Sequence, residues 1–176
     1  MHEQISPVTS STIPPAELRL YCGLDHNAYD SELELEALAA IDYIEARTDA
    51  VLINREIEAT YYPGELLRLR GPNTVVSGVS VDGVLLDEDT YHTTQIGNLV
   101  TLHLKGSQYG NTSTSKVVVV YTAGYETLTA LVRKSIKSYV ATNHRNREFA
   151  SQQQLHEVAH GLEDAINVLN RGTRVG

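Results

Sequence analysis

Residues 117–125, Val-Val-Val-Val-Tyr-Thr-Ala-Gly-Tyr, decide the fold of this 176-residue chain. A run of β-branched residues closed by a glycine is typical of a buried strand. From Leu128 onward, apolar residues recur at helical spacing, with Thr127 or Thr129 as the helix cap. Gly124 lies at the turn between strand and helix, where a residue without Cβ can adopt positive φ. We therefore expect a core strand that leads into a long helix.

Three further helices are predicted around this strand and helix. The first covers residues 16–21, and the second begins where Ser31 and Glu34 have capping-box spacing and continues to about Arg47. Ser151 is positioned to cap a last helix. The polar face of the second helix is expected to be solvated.

The middle of the chain has the period of two that is typical of strands. From residue 52 the odd positions form one face, and Glu56 and Glu58 lie on the other. Asp-Gly at 82–83 predicts a two-residue hairpin turn. Together the patterns predict an α+β fold, a helical core of long flanking helices with an inserted small antiparallel β-sheet.

The chain length favours one domain with tails. We expect a flexible N-terminal arm at 1–14, a main domain at 15–170 with its β insert at about 52–122, and a C-terminal tail at 171–176.

Composition limits the functions available to this chain. Its 14 basic and 22 acidic residues give a net charge of −8, which argues against binding nucleic acid through the phosphates. Cys22 is the only cysteine, so neither an internal disulfide nor a cysteine-cluster metal site is possible. No secretory signal or membrane-spanning segment is expected from the sequence.

One motif points to catalysis. His156-Glu157-Val158-Ala159-His160 matches the H-E-x-x-H pattern of zinc metallopeptidases, in which two histidines four residues apart on a helix bind Zn²⁺ and the glutamate activates water. The third ligand of such sites has no counterpart at workable spacing after His160. We therefore predict no catalytic residue, metal ligand or cofactor, and keep a zinc metallopeptidase as the alternative.

Three segments carry a resemblance to a known family. They are residues 38–48, the hairpin at 79–83 with Tyr91 downstream, and residues 119–125 with the helix that ends at 146–148. In order and spacing they resemble the head–tail connector (adaptor) proteins of long-tailed bacteriophages and related gene-transfer particles. The resemblance covers about residues 16–150.

This resemblance implies a non-enzymatic subunit of a ring beneath the portal, joining the DNA-filled head to the tail. The implied partners are the portal protein, the next tail-proximal connector (a stopper or tail terminator) and other copies of the chain in a dodecamer. Genomic DNA would pass through the channel without specific binding. The implied location is the neck of the virion, after assembly in the cytoplasm of the bacterial host, with no membrane partner.

Three sets of residues are expected to make these contacts. The apolar end of the last helix and the positively charged tail are predicted to bind the portal: Ile166, Leu169, Arg171, Arg174 and Val175. Oppositely charged positions on the second helix and the long helix are predicted to pair between subunits: Glu36, Asp42, Glu45, Arg133, Lys134 and Lys137. A polar loop is predicted to face the tail or the channel: Gly106, Ser107, Gln108, Tyr109 and Asn111.

Overall fold

The computed structural model describes residues 1–105, 115–148 and 155–171, without the side chains of 146–148, 155–161 and 171. In chain order the elements are β1 (His2–Ile5), α1 (Pro15–Cys22), α2 (Asp30–Glu45), β2 (Arg55–Tyr61), β3 (Arg68–Arg70), β4 (Val75–Val81), β5 (Val84–Leu85), a 3₁₀ turn (Glu88–Thr90), β6 (Tyr91–Ile96), β7 (Leu99–Leu104), β8 (Val117–Ala123), α3 (Ala130–Glu148) and α4 (Leu155–Arg171). Helices bracket antiparallel strands, which confirms the predicted α+β class.

The described residues divide into two compact units. The β unit comprises residues 1–7 and 49–125, and the helical unit comprises residues 8–48 and 126–171. Each unit has buried apolar residues of its own. Those of the β unit come mainly from strands, and those of the helical unit come mainly from helices.

The predicted core strand lies at the centre of the β unit. Strand β8 is the middle strand of a five-stranded antiparallel sheet with the order β1-β2-β8-β4-β5. Val119 pairs with Ala59 of β2 on one side and with Val79 of β4 on the other, and all three side chains are fully buried. Val117 and Val119 are therefore buried because the run forms the centre of the sheet, while Val118 and Val120 on the opposite face are half-buried.

A second sheet of three strands, in the order β3-β7-β6, completes the β unit. Leu69, Val100 and Leu102 of this sheet share one hydrophobic core with the inward side chains of the five-stranded sheet. The sequence predicted one small sheet, and the structure corrects this to two sheets packed across a common core. The period of two marks which residues face inward, but it does not say which strands pair.

Two buried tyrosines connect the sheets through polar atoms. The Tyr61 hydroxyl donates to the carbonyl of Arg68, and the Tyr121 hydroxyl accepts from the amide of Arg70 at 3.3 Å. Burial raises the pKa of Tyr121 to about 12, and it raises that of Tyr61 as well. Both hydroxyls therefore stay protonated and satisfy backbone groups of the edge strand β3.

The predicted glycine turns have the expected backbone. Asp82 and Gly83 have φ of 49° and 84°, the positive values that a type I′ turn between β4 and β5 requires. Gly124 has φ of 125°, and a Cβ placed there would lie 2.6 Å from both the carbonyl carbon of Ile53 and the amide nitrogen of Asn54. Glycine at this position is therefore required by conformation and by space.

The helical unit buries the predicted apolar stripes. Leu33, Ala37, Ile41 and Ile44 of α2 are at most 1% exposed, and Val132, Ile136 and Val140 of α3 are at most 2% exposed. Thr129 precedes α3 and its hydroxyl accepts from the amide of Val132 at 3.5 Å, as expected of a cap.

The capping box predicted for α2 is wrong. The helix begins at Asp30, and the residue before it makes no side-chain cap. Glu34 instead accepts hydrogen bonds from the amide and hydroxyl of Ser11, at 2.6 Å and 2.9 Å. Ser31 lies inside the helix and so cannot be its N-cap, while the buried Ser11 obtains its hydrogen-bond partner from Glu34.

The N-terminal segment, predicted as a flexible arm at 1–14, is partly ordered by pairing and burial. Strand β1 pairs with β2 in the register His2 to Thr60, and Ile13 is 2% exposed. An edge strand is held by backbone hydrogen bonds, so its polar composition does not prevent pairing. The remaining domain boundaries stay predictions.

Candidate interaction surfaces

The strongest charge cluster of the helical unit lies between α1 and α3. Glu17 of α1 accepts hydrogen bonds from two guanidinium nitrogens of Arg133, Nε at 3.1 Å and Nη2. The ammonium group of Lys137, one turn further along α3, donates to Glu17 at 2.9 Å. These three side chains therefore connect two helices of the same chain.

Hydrogen bonds from Arg133 and then from Lys137 lower the pKa of Glu17 from 4.5 to about 2. The same pairing raises the pKa of Arg133. Two of the basic residues predicted to pair with a neighbouring subunit are thus engaged within the chain. Lys134, the third, is exposed.

The acidic residues predicted to face that neighbour have unequal exposure. Asp42 is exposed, Glu36 is half-buried and accepts from the Asn143 amide at 2.7 Å, and Glu45 is only 6% exposed. The expectation of a solvated polar face on α2 is therefore wrong for Glu45. Pairing of this face with another subunit stays a prediction.

The residues predicted to bind the portal fall into two groups. Ile166 and Leu169 are 8% and 7% exposed, so both belong to the core of the helical unit, while Val168 beside them is 49% exposed. The Arg171 side chain, Arg174 and Val175 lie outside the described residues. So does the predicted loop with Gly106, Ser107, Gln108, Tyr109 and Asn111.

The H-E-x-x-H motif lies within α4. The backbone of His156, Glu157 and His160 is helical, and their side chains lie outside the described residues. Across the described part of the chain, no group of three or more His, Cys, Asp or Glu side chains is arranged to hold a metal ion. Within residues 1–105, 115–148 and 155–171, no helix combines the length and the apolar character needed to cross a membrane.

The outer surface of the five-stranded sheet carries the acidic residues of β2. Glu58 lies in one row with Val120 and Gly78, and Glu56 lies in the next row beside Thr122. Both glutamates are exposed, whereas Val120 is half-buried. We call this surface the acidic face, and it comprises Glu56, Glu58, Leu85, Val118 and Val120.

A groove borders the acidic face. Its volume is about 260 Å³, and it is lined by Gln4, Ile5, Ser6, Pro7, Glu56 and Glu58. The backbone amide of Ser6 donates to the Glu56 carbonyl at 3.3 Å and so fixes the chain beside the groove. The two carboxylates make this groove suited to a basic side chain.

The outer surface of the three-stranded sheet has the opposite character. Strands β3, β6 and β7 read Arg-Leu-Arg, Tyr-His-Thr-Thr-Gln-Ile and Leu-Val-Thr-Leu-His-Leu, and contain no acidic residue. We call this surface the basic face, and it comprises Arg68, His92, Thr94, Ile96, Thr101 and His103.

Cross-strand pairs organise the basic face. The imidazole rings of His92 and His103 are stacked with their centroids 4.9 Å apart, and the Thr94 hydroxyl lies 2.9 Å from Nε2 of His103. Arg68 pairs with Thr101 on the far side of β7 and is exposed. Residues from three strands therefore form one continuous polar surface.

Neither face was predicted as a site from the sequence. The period of two places Glu56 and Glu58 on one side of an extended segment, and this was the available signal for the acidic face. The basic face is assembled from Arg68, His92 and His103, which only strand pairing brings together. Glu17 was likewise missed, because no local pattern links it to α3.

Comparisons with known proteins identify structural relatives only. No protein-family model matches the sequence, and no curated protein matches it. Among solved structures, a chain in the virion of a native gene transfer agent particle superposes with a TM-score of 0.73 at 19% identity, covering 93% of this chain and 94% of that one.

Two further matches are chains from particle necks. A chain from the neck of an empty gene transfer agent particle, computed with C6 symmetry, gives a TM-score of 0.61 at 20% identity over 82% of this chain and 84% of that one. A chain from the neck of a native particle, computed with C12 symmetry, gives 0.58 at 17% identity over 81% and 83%. The protein therefore has a fold that is also present in chains of gene transfer agent virions and necks.

Proposed function

We propose that this chain is a structural head–tail connector (adaptor) subunit in the neck of a tailed phage or gene-transfer particle. The observation that carries the proposal is the match to a virion chain over 93% of this chain with a TM-score of 0.73. Because the match covers 94% of that chain as well, it supports a comparison of the whole fold and not of one segment alone. The two neck chains support the same location.

The proposed assembly is a ring, and its proposed copy number is twelve. The C12 symmetry of one of the matching necks supports this number. Such a ring would have the portal protein on its head side and the next tail-proximal connector, a stopper or tail terminator, on its tail side. It would be added in the cytoplasm of the bacterial host.

Charge supports the proposed passage of DNA through the ring. The net charge of −8 repels phosphate, so genomic DNA would pass through the channel without specific binding. In this role the protein has no catalytic residue, metal or cofactor, and its chemistry is that of assembly.

The C-terminal segment is the proposed portal anchor. Ile166 and Leu169 would fix α4 in the helical unit, because both are buried there. Arg171, Arg174 and Val175 would then extend from the end of that helix toward the portal. Twelve such weak contacts on one ring would act together through their high effective concentration.

Deleting the gene in the strain that encodes the chain tests the neck proposal. Without the subunit, DNA-filled heads and separate tails should accumulate, and electron microscopy should find few joined particles. A plasmid copy of the natural gene should restore joining, whereas an empty plasmid should not. Normal numbers of joined particles in the deletion strain would overturn the proposal.

A truncated protein tests the anchor separately. Removing residues 171–176 should leave thermal unfolding unchanged but prevent co-sedimentation with portal-bearing, DNA-filled heads. Full recruitment of the truncated protein would place the anchor elsewhere in the chain. The metallopeptidase alternative is tested by measuring the zinc content of the purified protein. One bound zinc per chain, lost when His156 and His160 are both changed to Ala, would favour that alternative.

A further inference from the structure

The two outer surfaces of the β unit point away from each other. The common core lies between the sheets, and it contains inward residues of both, such as Tyr121 of β8 and Leu102 of β7. Residues that alternate with this inward set must therefore face opposite sides of the unit. The acidic face and the basic face are consequently on opposite surfaces of one folded unit.

The acidic face combines charge with exposed apolar area. Leu85 is 74% exposed, and its Cδ1 atom lies 3.7 Å from the position that a Cβ of Gly78 would occupy. Leu85 therefore lies over Gly78, next to the half-buried Val120 of the neighbouring strand. This apolar area and the two exposed glutamates beside it form one surface.

The basic face has the complementary composition. Arg68 and the adjoining Lys105 are exposed, and no acidic residue lies in the three strands that form this face. Ile96 is 55% exposed at the end of β6 and supplies apolar area. The two faces are therefore complementary, since one has carboxylates beside apolar side chains and the other has exposed cations and an exposed isoleucine.

We infer that the acidic face of one subunit binds the basic face of a second copy of this chain. The inference rests on the proposed neck function and identifies the surfaces through which the ring closes. A contact between two different surfaces is heterologous, and such contacts produce closed rings when the rotation between copies allows it. Arg68 of one copy then enters the groove beside Glu56 and Glu58 of the next.

This contact replaces the helix pairing expected from the sequence. Arg133 and Lys137 are both bound to Glu17 in their own chain, so an acidic helix from a neighbour would have to displace that carboxylate. Arg68 has no such acidic residue within its own sheet. Charge complementarity between copies is therefore greater for the β unit than for the helical unit.

Mixed single-cysteine variants test the contact directly. In a Cys22→Ala background, one preparation carries Glu58→Cys and another carries His103→Cys. After mixing and mild oxidation over a range of protein concentrations, the mixture should give disulfide-linked dimers several-fold more efficiently than either preparation alone. Asp89→Cys mixed with His103→Cys is the matched control, because Asp89 is also exposed but lies outside the acidic face.

Charge reversal provides the second measurement. Glu56→Lys combined with Glu58→Lys should weaken self-association, measured by sedimentation, roughly tenfold or more, because it places cations opposite Arg68 of the next copy. The control Glu88→Lys with Asp89→Lys changes net charge equally and should leave self-association unchanged. Combining the Glu56 and Glu58 reversals with Arg68→Glu should restore part of the loss.

Equal cross-linking in all pairings, or none at the highest concentration, would overturn the inference. Failure of the contact is distinguishable from failure of the neck role. Particles that contain the protein in their necks and assemble normally with Glu56→Lys and Glu58→Lys would contradict the contact alone. Normal particles without the gene would contradict the neck role itself.

Discussion

The helical unit and the β unit differ in where their charged side chains find partners. In the helical unit, carboxylates are paired inside the chain, as Glu17 is with Arg133 and Lys137 and Glu34 is with Ser11. In the β unit, the exposed carboxylates of β2 and the exposed Arg68 of β3 lie on opposite faces. Glu17, Arg133 and Lys137 therefore connect helices of one chain, whereas Glu56, Glu58 and Arg68 are exposed, and the inferred contact assigns them to pairing between copies.

The largest predicted effect concerns the glycine that joins the core strand to the following segment. Gly124→Ala should destabilise the protein by about 3 kcal/mol or more, because the new Cβ would lie 2.6 Å from backbone atoms of Ile53 and Asn54. Denaturant unfolding measures this loss.

Gly64→Ala is the matched control for that substitution. Gly64 also has positive φ, at 84°, but nothing lies within 4 Å of its would-be Cβ. Gly64→Ala should reduce the free energy of unfolding by about 1–2 kcal/mol, because only the positive φ disfavours a side chain there. If the two variants lose equal stability, contact with the backbone of residues 53 and 54 is not the reason that position 124 requires glycine.

The next effect concerns the hydrogen bonds between the sheets. Tyr61→Phe should reduce stability by about 1–3 kcal/mol, since it leaves the Arg68 carbonyl without the donor that the buried hydroxyl supplies. Tyr62→Phe, at a side chain that is 53% exposed, should change stability by less than about 0.5 kcal/mol. A loss at Tyr62 as great as that at Tyr61 would contradict the role given to the buried hydroxyl.

A smaller, pH-dependent effect should distinguish the helical unit. Glu17→Gln should reduce stability by about 0.5–1 kcal/mol at neutral pH, because Glu17 is paired with two cations but is partly exposed. The folded pKa of Glu17 lies below its usual value, so the natural protein has this stabilisation above pH 4.5 and loses it as the pH falls toward 2.

Urea unfolding of the natural protein and the variant across that pH range measures the effect. The difference between them should shrink as the pH falls below 4.5. Asp42→Asn, at an exposed carboxyl on α2, should show no comparable difference. If the stability difference between the natural protein and Glu17→Gln stays constant down to the lowest pH, ionised Glu17 is not its source.

The smallest effects on stability should come from the exposed cations of the two units. Lys134→Glu and Arg68→Glu should each change the free energy of unfolding by no more than about 0.5 kcal/mol. Only Arg68→Glu should weaken self-association in sedimentation experiments. If Lys134→Glu weakens self-association more than Arg68→Glu does, the subunit contact lies on the helical unit and not on the β unit.

Sequence patterns predicted the elements of this fold better than its surfaces. The valine run, Gly124 and the Asp82-Gly83 turn are local features, so their backbone could be predicted from residue type alone. The pairing of Ser11 with Glu34 and that of Glu17 with Arg133 join residues far apart in the chain, and no local pattern contains them. The basic face could not be predicted from the sequence for the same reason, since Arg68 and His103 become neighbours only through the pairing of β3 with β7.

Cryo-electron microscopy of particles produced by the strain that encodes this chain tests the neck role most directly. We expect a ring of copies between head and tail, with density for each helical unit and β unit and with Glu58 of one copy facing the basic face of the next. Particles whose neck density is complete without this chain would contradict the proposed neck role.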